Sequence, residues 1–151
     1  MTEDTVDRHD DLGARRYLFF QAGGERFGVP VDRVQGAAKL RQVVELPGAP
    51  AGYAGLTMVR GEPIGVLDAL KAIAGASPPA EREGPKGDVL ILLEGEARAL
   101  LVQRIVSIEE VLATAIEPPT PGRPMVTGCV TSNGEAVQLI DVDAVLTEGL
   151  S

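Results

Sequence analysis

Apolar and polar residues alternate in short runs along most of this chain, and each run stops at a glycine-centred turn. Alternation with a period of two marks a half-buried β-strand, and a glycine turn between two such runs marks a hairpin. The stretch Gly55 to Leu70, GLTMVRGEPIGVLDAL, carries the pattern most fully. It predicts a strand from Leu56 to Val59, a turn at Arg60, Gly61 and Glu62, a second strand from Ile64 to Leu67, and a helix opened by Asp68. Aspartate is a favoured helix N-cap because its carboxylate accepts a free N–H of the first turn. The same design returns at Gly128 to Leu146, GCVTSNGEAVQLIDVDAVL, with Gly134 at the turn and Asp141 at the cap. Both copies fit Gly, five residues, Gly-Glu, five residues, Asp.

Earlier elements repeat as well. Tyr17 to Ala22 and Arg26 to Val29 predict a hairpin about Gly23-Gly24-Glu25, and Asp88 to Leu93 with Ala97 to Val102 predict its counterpart about Glu94-Gly95-Glu96. Gly24, Val31 and Pro47 match Gly95, Val102 and Pro118, each 71 residues later, while Gly61 and Asp68 match Gly134 and Asp141, each 73 later. Val31 to Val34 predicts a short irregular or helical passage, with Val102 to Ile105 in the same place. Further strands are expected around Val43, Val44 and Leu46, and from Ile108 to Ile116. Proline-rich loops follow at Leu46 to Pro50, which Tyr53 would close, and at Pro118 to Pro124.

The expected fold is mainly β: two similar five-stranded subdomains with short helices, each a bent antiparallel sheet that closes into a small barrel to hide its edges. Residues 1–16 are polar and acidic and are expected to form a flexible tail. Residues 17–147 form one domain of two packed subdomains, about 17–73 and 88–147, joined by the Ala-, Pro- and Gly-rich loop 74–87. Neither half would bury much core alone, so the two should pack together and could exchange strands.

Composition narrows the function. The chain has 151 residues, a net charge of -8 and scattered basic residues, which excludes a concentrated nucleic-acid-binding patch. The longest apolar run, Val89 to Leu93, is far too short to span a membrane. The acidic N-terminus lacks the apolar region of a signal peptide, which with a lone cysteine points to the cytoplasm. The single histidine, His9, lies in the tail, and one histidine with one cysteine, Cys129, is too few for a zinc site. Gly23-Gly24-Glu25 lacks the spacing and the following helix of a phosphate loop. Asp68 and Asp141 hold equivalent places, which helix capping explains and a paired acid–base role would also fit. Cys129 is expected as a small buried hydrophobe. No catalytic residue, metal ligand or cofactor site emerges, so the activity expected is binding.

From residue 16 to 147 the order of elements resembles the CheW family of chemosensory coupling proteins. Gly55-Leu56-Thr57-Met58-Val59-Arg60-Gly61 is similar to the family's Gly-Val-x-Asn-Leu-Arg-Gly, and Ile64 to Asp68 to its Ile-x-Pro-Val-Ile-Asp. Phe27-Gly28-Val29-Pro30-Val31 with Val34, Leu46-Pro47, Tyr53, Leu100-Leu101-Val102 with Ile105, and Leu139-Ile140-Asp141 extend the match. The resemblance implies two five-stranded SH3-like barrels with a groove between them, and a non-catalytic scaffold. Such a scaffold bridges the cytoplasmic tip of a methyl-accepting chemoreceptor to the regulatory domain of the histidine kinase CheA at membrane receptor arrays. It carries a receptor-side role to Val34, Gly55 and Arg60. Arg60 could equally brace the inter-barrel loop, Val34 could be core, and Gly55 could answer a backbone requirement. The sequence departs from the family at Met58 for asparagine, Gly65 for proline, Ala69 for leucine and Gln103 for aspartate, which bears on partner choice. The alternative is a CheW-like binding or regulatory module in a divergent pathway such as surface motility, or one holding a small ligand in the groove. The short stretch after Leu146 leaves no room for a fused receiver domain.

Overall fold

The computed structural model describes residues 14–45, 47–48, 53–74, 87–119 and 121–148. The first half holds β1 (Ala14–Ala22), β2 (Glu25–Pro30), a 3-10 turn (Val31–Arg33), β3 (Val34–Lys39), β4 (Tyr53–Val59), β5 (Glu62–Asp68) and helix α1 (Ala69–Ala74). The second holds β6 (Val89–Leu93), β7 (Arg98–Val102), β8 (Arg104–Leu112), a 3-10 turn (Ala113–Ala115), β9 (Val126–Ser132), β10 (Glu135–Ile140) and helix α2 (Val142–Glu148). Strand therefore begins inside the expected tail, at Ala14. The rest of that tail with His9, and nearly all of the 74–87 loop, lie outside the described residues.

These strands make two five-stranded sheets, in the orders β8-β1-β2-β10-β9 and β3-β6-β7-β5-β4. Each sheet curls back on itself as an open SH3-like barrel. An isolated antiparallel bridge brings its edges together, Glu117–Cys129 in the first and Val44–Leu56 in the second. The sheets do not follow the sequence halves. The hairpin β1–β2 joins three strands of the second half, and β6–β7 joins three of the first. The joints are antiparallel on one side of each hairpin, β1 with β8 and β3 with β6, and parallel on the other, β2 with β10 and β5 with β7. The parallel pairs use equivalent registers: Phe27 opposite Gln138, and Arg98 opposite Gly65. The division at 17–73 and 88–147 thus separates the repeats, while each barrel is built from both.

Burial explains the exchange. Apolar side chains fall into three groups: an interior for each barrel, and a larger core between the barrels that also receives α1 and α2. Consecutive residues on β1 show the sorting, with Phe19 turned into the first barrel and Phe20 into the central core. Phe20 and Phe27 stack there with ring centroids 5.6 Å apart. A strand covered on both faces needs continuous rather than alternating apolar residues. That is why Leu90–Leu93 and Ala99–Val102 are buried without a break.

Some elements differ from expectation. The third strand lies at Val34–Lys39, not around Val43–Leu46, and its alternate half-exposed, exposed residues leave only a weak apolar period. The strand expected from Ile108 to Ile116 instead starts at Arg104 and ends at Leu112, where the backbone turns into the 3-10 segment. The two caps do form. Asp68 Oδ1 accepts the Lys71 N–H at 3.2 Å, and Asp141 Oδ1 accepts those of Asp143 and Ala144 at 3.0 and 3.3 Å.

Candidate functional site

The hairpin β4–β5 is the local unit that positions Gly55 and Arg60. A two-residue turn of type I′, whose twist matches that of its strands, has positive φ at both central residues. Arg60 (φ 52) and Gly61 (φ 82) satisfy this, and so do the equivalent Asn133 (φ 52) and Gly134 (φ 79) of β9–β10. Glycine has no Cβ to crowd the next carbonyl and asparagine's short amide can offset the crowding with a local hydrogen bond, whereas arginine meets it without that compensation. Arg60 is nevertheless exposed at the tip and makes no ion pair among the described residues.

Gly55 is buried at the start of the same strand, with φ 145. A Cβ there would collide with the carbonyl oxygen of Val44, so close approach of backbone to backbone demands glycine. Val34 ends the 3-10 turn, pairs with Leu93 and packs half-buried against the central core. All three residues belong to the second sheet, but Val34 is on its edge strand β3 while Gly55 and Arg60 belong to the hairpin at the other edge. Of the three, Arg60 is the exposed one.

Beside Gly55 runs a feature that sequence reasoning missed. A groove of about 450 Å3 is lined by Arg41, Gln42, Val44, Leu56, Thr57, Met58 and Pro63. Its floor forms because the chain after β3 returns along β4. Val44 and Leu56 exchange both backbone hydrogen bonds at 2.8 Å, and the buried Thr57 hydroxyl donates to the Gln42 carbonyl. Val44 and Met58 are each 63% exposed, an unusual state for large apolar side chains at neighbouring positions. The available signal was Met58 alternating with Leu56, but nothing local places Val44 opposite them.

The departures from the family pattern have a structural setting. Gly65 donates its N–H to the Ala97 carbonyl at 2.8 Å, which proline could not do, and a Cβ there would press on the Tyr53 ring. Ala69 is fully buried at the start of α1. The Gln103 side-chain oxygen accepts the Gly24 N–H at 3.3 Å, tying the β1–β2 turn to the second half.

In the first barrel the groove beside Cys129 and Ala136, the counterparts of Leu56 and Pro63, has different chemistry. A groove of about 360 Å3 is lined by Glu25, Pro121, Gly122, Arg123, Cys129, Ala136 and Gln138. Arg123 grips both Glu25 carboxylate oxygens, at 2.8 and 3.1 Å, and donates to the Gln138 side-chain oxygen at 3.0 Å. Gln138 in turn donates to Glu25 at 2.7 Å. The hydrogen bond to Glu25 holds the Arg123 guanidinium above its ordinary pKa against the opposing effect of burial, so it stays charged. Arg33 is raised likewise by its bond to Asp143, which pins α2 beside the 3-10 turn. Cys129 is half-buried in the wall of this groove rather than sealed in the core, because it lies on the outward face of β9, between the buried Gly128 and Val130.

Among the described residues no group of three or more His, Cys, Asp and Glu side chains could hold a metal ion. None of their helices is long and apolar enough to cross a membrane. Asp68 and Asp141 are each occupied as the cap of a separate helix start.

Comparison with known proteins agrees with this architecture. No curated protein matches the chain in sequence. Among solved structures it is similar to the crystal structure of the scaffolding protein TtCheW from Thermoanaerobacter tengcongensis, with a TM-score of 0.72 and 20% identity. The match covers 87% of this chain and 86% of that one. The model of the CheW-like domain matches residues 16–149. With that match over nearly all of its length, and with two interlocked five-stranded sheets to account for it, the chain belongs to the CheW-like domain family.

Proposed function

We propose that this chain is a non-catalytic cytoplasmic adaptor that bridges the tip of a chemoreceptor to the regulatory domain of a CheA-type kinase. Arg60 is its principal receptor-side residue. One observation carries this assignment: an arginine occupies a left-handed turn position where its counterpart in the other barrel is asparagine. Strain of this kind, on the order of 1 kcal/mol, is retained where the side chain has a use outside the fold. An exposed guanidinium offers several fixed donors to helix carbonyls or carboxylates. Gly55 serves by shaping the hairpin and Val34 by shaping the edge of the sheet. The adaptor works as one unit over 17–147, since neither half carries a whole barrel.

The test is a titration of the protein against a CheA regulatory domain and, separately, a receptor-tip fragment, with Arg60→Glu beside wild type and circular dichroism as the control for folding. Wild-type binding to both, with receptor binding alone lost in a folded variant, is the expected result. Binding to neither partner would remove the coupling role and leave a family member acting in another pathway.

A further inference from the structure

The polar groove of the first barrel contains an arrangement that the adaptor role does not use. Between the bridge at Glu117 and the start of β9, the chain carries Pro118, Pro119, Pro121 and Pro124. Prolines have no N–H, so this stretch cannot be zipped to the sheet by a backbone ladder. Its far end is anchored: Met125 is buried in the central core and its carbonyl accepts the Asp141 N–H at 2.9 Å. In between, the Arg123 carbonyl accepts the Val126 N–H at 3.0 Å, a bond within the turn itself. Among the described residues of this stretch, the Arg123 side chain makes the attachment to the sheet, reaching Glu25 on β2 and Gln138 on β10. The second barrel has no counterpart of the amide, because Gly65 stands where Gln138 stands and offers no side chain.

We propose that residues Pro121–Met125 form a salt-sensitive strap, held against the first barrel by the Arg123–Glu25–Gln138 cluster, whose release opens the groove and exposes Cys129. The pair is suited to this. Its side chains are 24% and 26% exposed, so ions reach them, yet the bidentate geometry holds them closed in dilute salt. Because the guanidinium's pKa is raised, salt rather than base is the practical release. Cys129 is the sole cysteine of the chain and lines the same groove, which makes its thiol a site-specific reporter. The inference stands apart from the receptor reading and is tested without any partner.

The experiment measures alkylation of Cys129 by iodoacetamide, a neutral reagent, in the full chain, with each rate divided by that of a free cysteine derivative in the same buffer. In wild type the normalised rate should rise several-fold between about 0.1 and about 1 M salt, as the screening length falls from roughly 10 to roughly 3 Å. Arg123→Gln and Glu25→Gln should both react several-fold faster than wild type in dilute salt and lose the salt dependence. Direction separates opening from simple electrostatics. Removing a nearby cation lowers the thiolate fraction and removing an anion raises it, so without a strap the two variants would move oppositely. The swapped pair Glu25→Arg/Arg123→Glu should restore slow, salt-dependent labelling. Arg26→Gln, which breaks the Arg26–Glu135 pair of the same barrel, should leave the rate unchanged. Opposite shifts, unchanged rates, or equal acceleration by Arg26→Gln would each overturn the strap. Should a single variant fail to fold, a wild-type rate indifferent to salt overturns it equally.

Discussion

The two barrels are built to one plan and finished differently. Each takes a hairpin from one half of the chain and three strands from the other, with a positive-φ pair at the tip of its β4–β5 or β9–β10 hairpin. In the second barrel the tip carries Arg60 and the neighbouring groove is apolar, with Val44 and Met58 open to solvent. In the first the tip carries Asn133 and the groove is filled with an ion pair and an amide. The positive-φ turn has been kept in both copies, while the side chains that meet solvent have diverged. The scaffold therefore sets where a contact surface can be, and substitution at a few outward positions sets its chemistry.

The harshest way to break the comparison is to damage what the barrels share. Phe20→Ala, in the central core, should cost about 3–5 kcal/mol and lower the stability of both barrels in a single transition. Urea denaturation followed by two probes, one in each barrel, would show the two curves still coinciding. Separate midpoints would mean that the central core does not couple them.

Next in size is a contrast between equivalent glycines. Gly55→Ala forces a Cβ into the Val44 carbonyl at a φ of 145, and backbone cannot easily give way. Gly128→Ala presses on the γ2 methyl of Ile116 and, less closely, on the Glu117 carbonyl oxygen at 3.3 Å, at a φ outside the left-handed region. The first should cost about 3 kcal/mol and the second about 1 kcal/mol, read as shifts in urea midpoint at constant slope. Equal losses would show that the bridge at Val44 is no more rigid than the side chain of Ile116.

The smallest effect sharpens the comparison most. Exchanging the turn residues should move stability in opposite directions: Arg60→Asn gains about 0.5–1 kcal/mol and Asn133→Arg loses a similar amount. Receptor-tip binding should fall in the stabilised variant, which would separate fold from function at one residue. A stabilised Arg60→Asn that binds as well as wild type would remove the reason for retaining arginine there.

Much of this protein could be read from its sequence because the governing signals are local. Turn glycines, the Gly-Glu repeats and the aspartate caps act within a few residues, so the hairpins and both helix starts stood out, and with them the resemblance to a family. Arg60 was legible as a turn residue for the same reason. What the tertiary structure alone decided involves partners far apart in the chain. The pattern of Tyr17 to Val29 predicts a hairpin, but not that it would join strands of the other half. That choice rests on burying both faces of β2 and β7 between a barrel interior and the central core. Leu56 and Met58 show an exposed stripe only once Val44 has returned beside them. Arg123, in a proline-rich loop, gave no hint of Glu25 and Gln138, because its guanidinium meets them only after the exchanged strands have come together. Short-range geometry is written in neighbouring residues, whereas pairing across the chain is selected by how much apolar surface the whole arrangement removes from water.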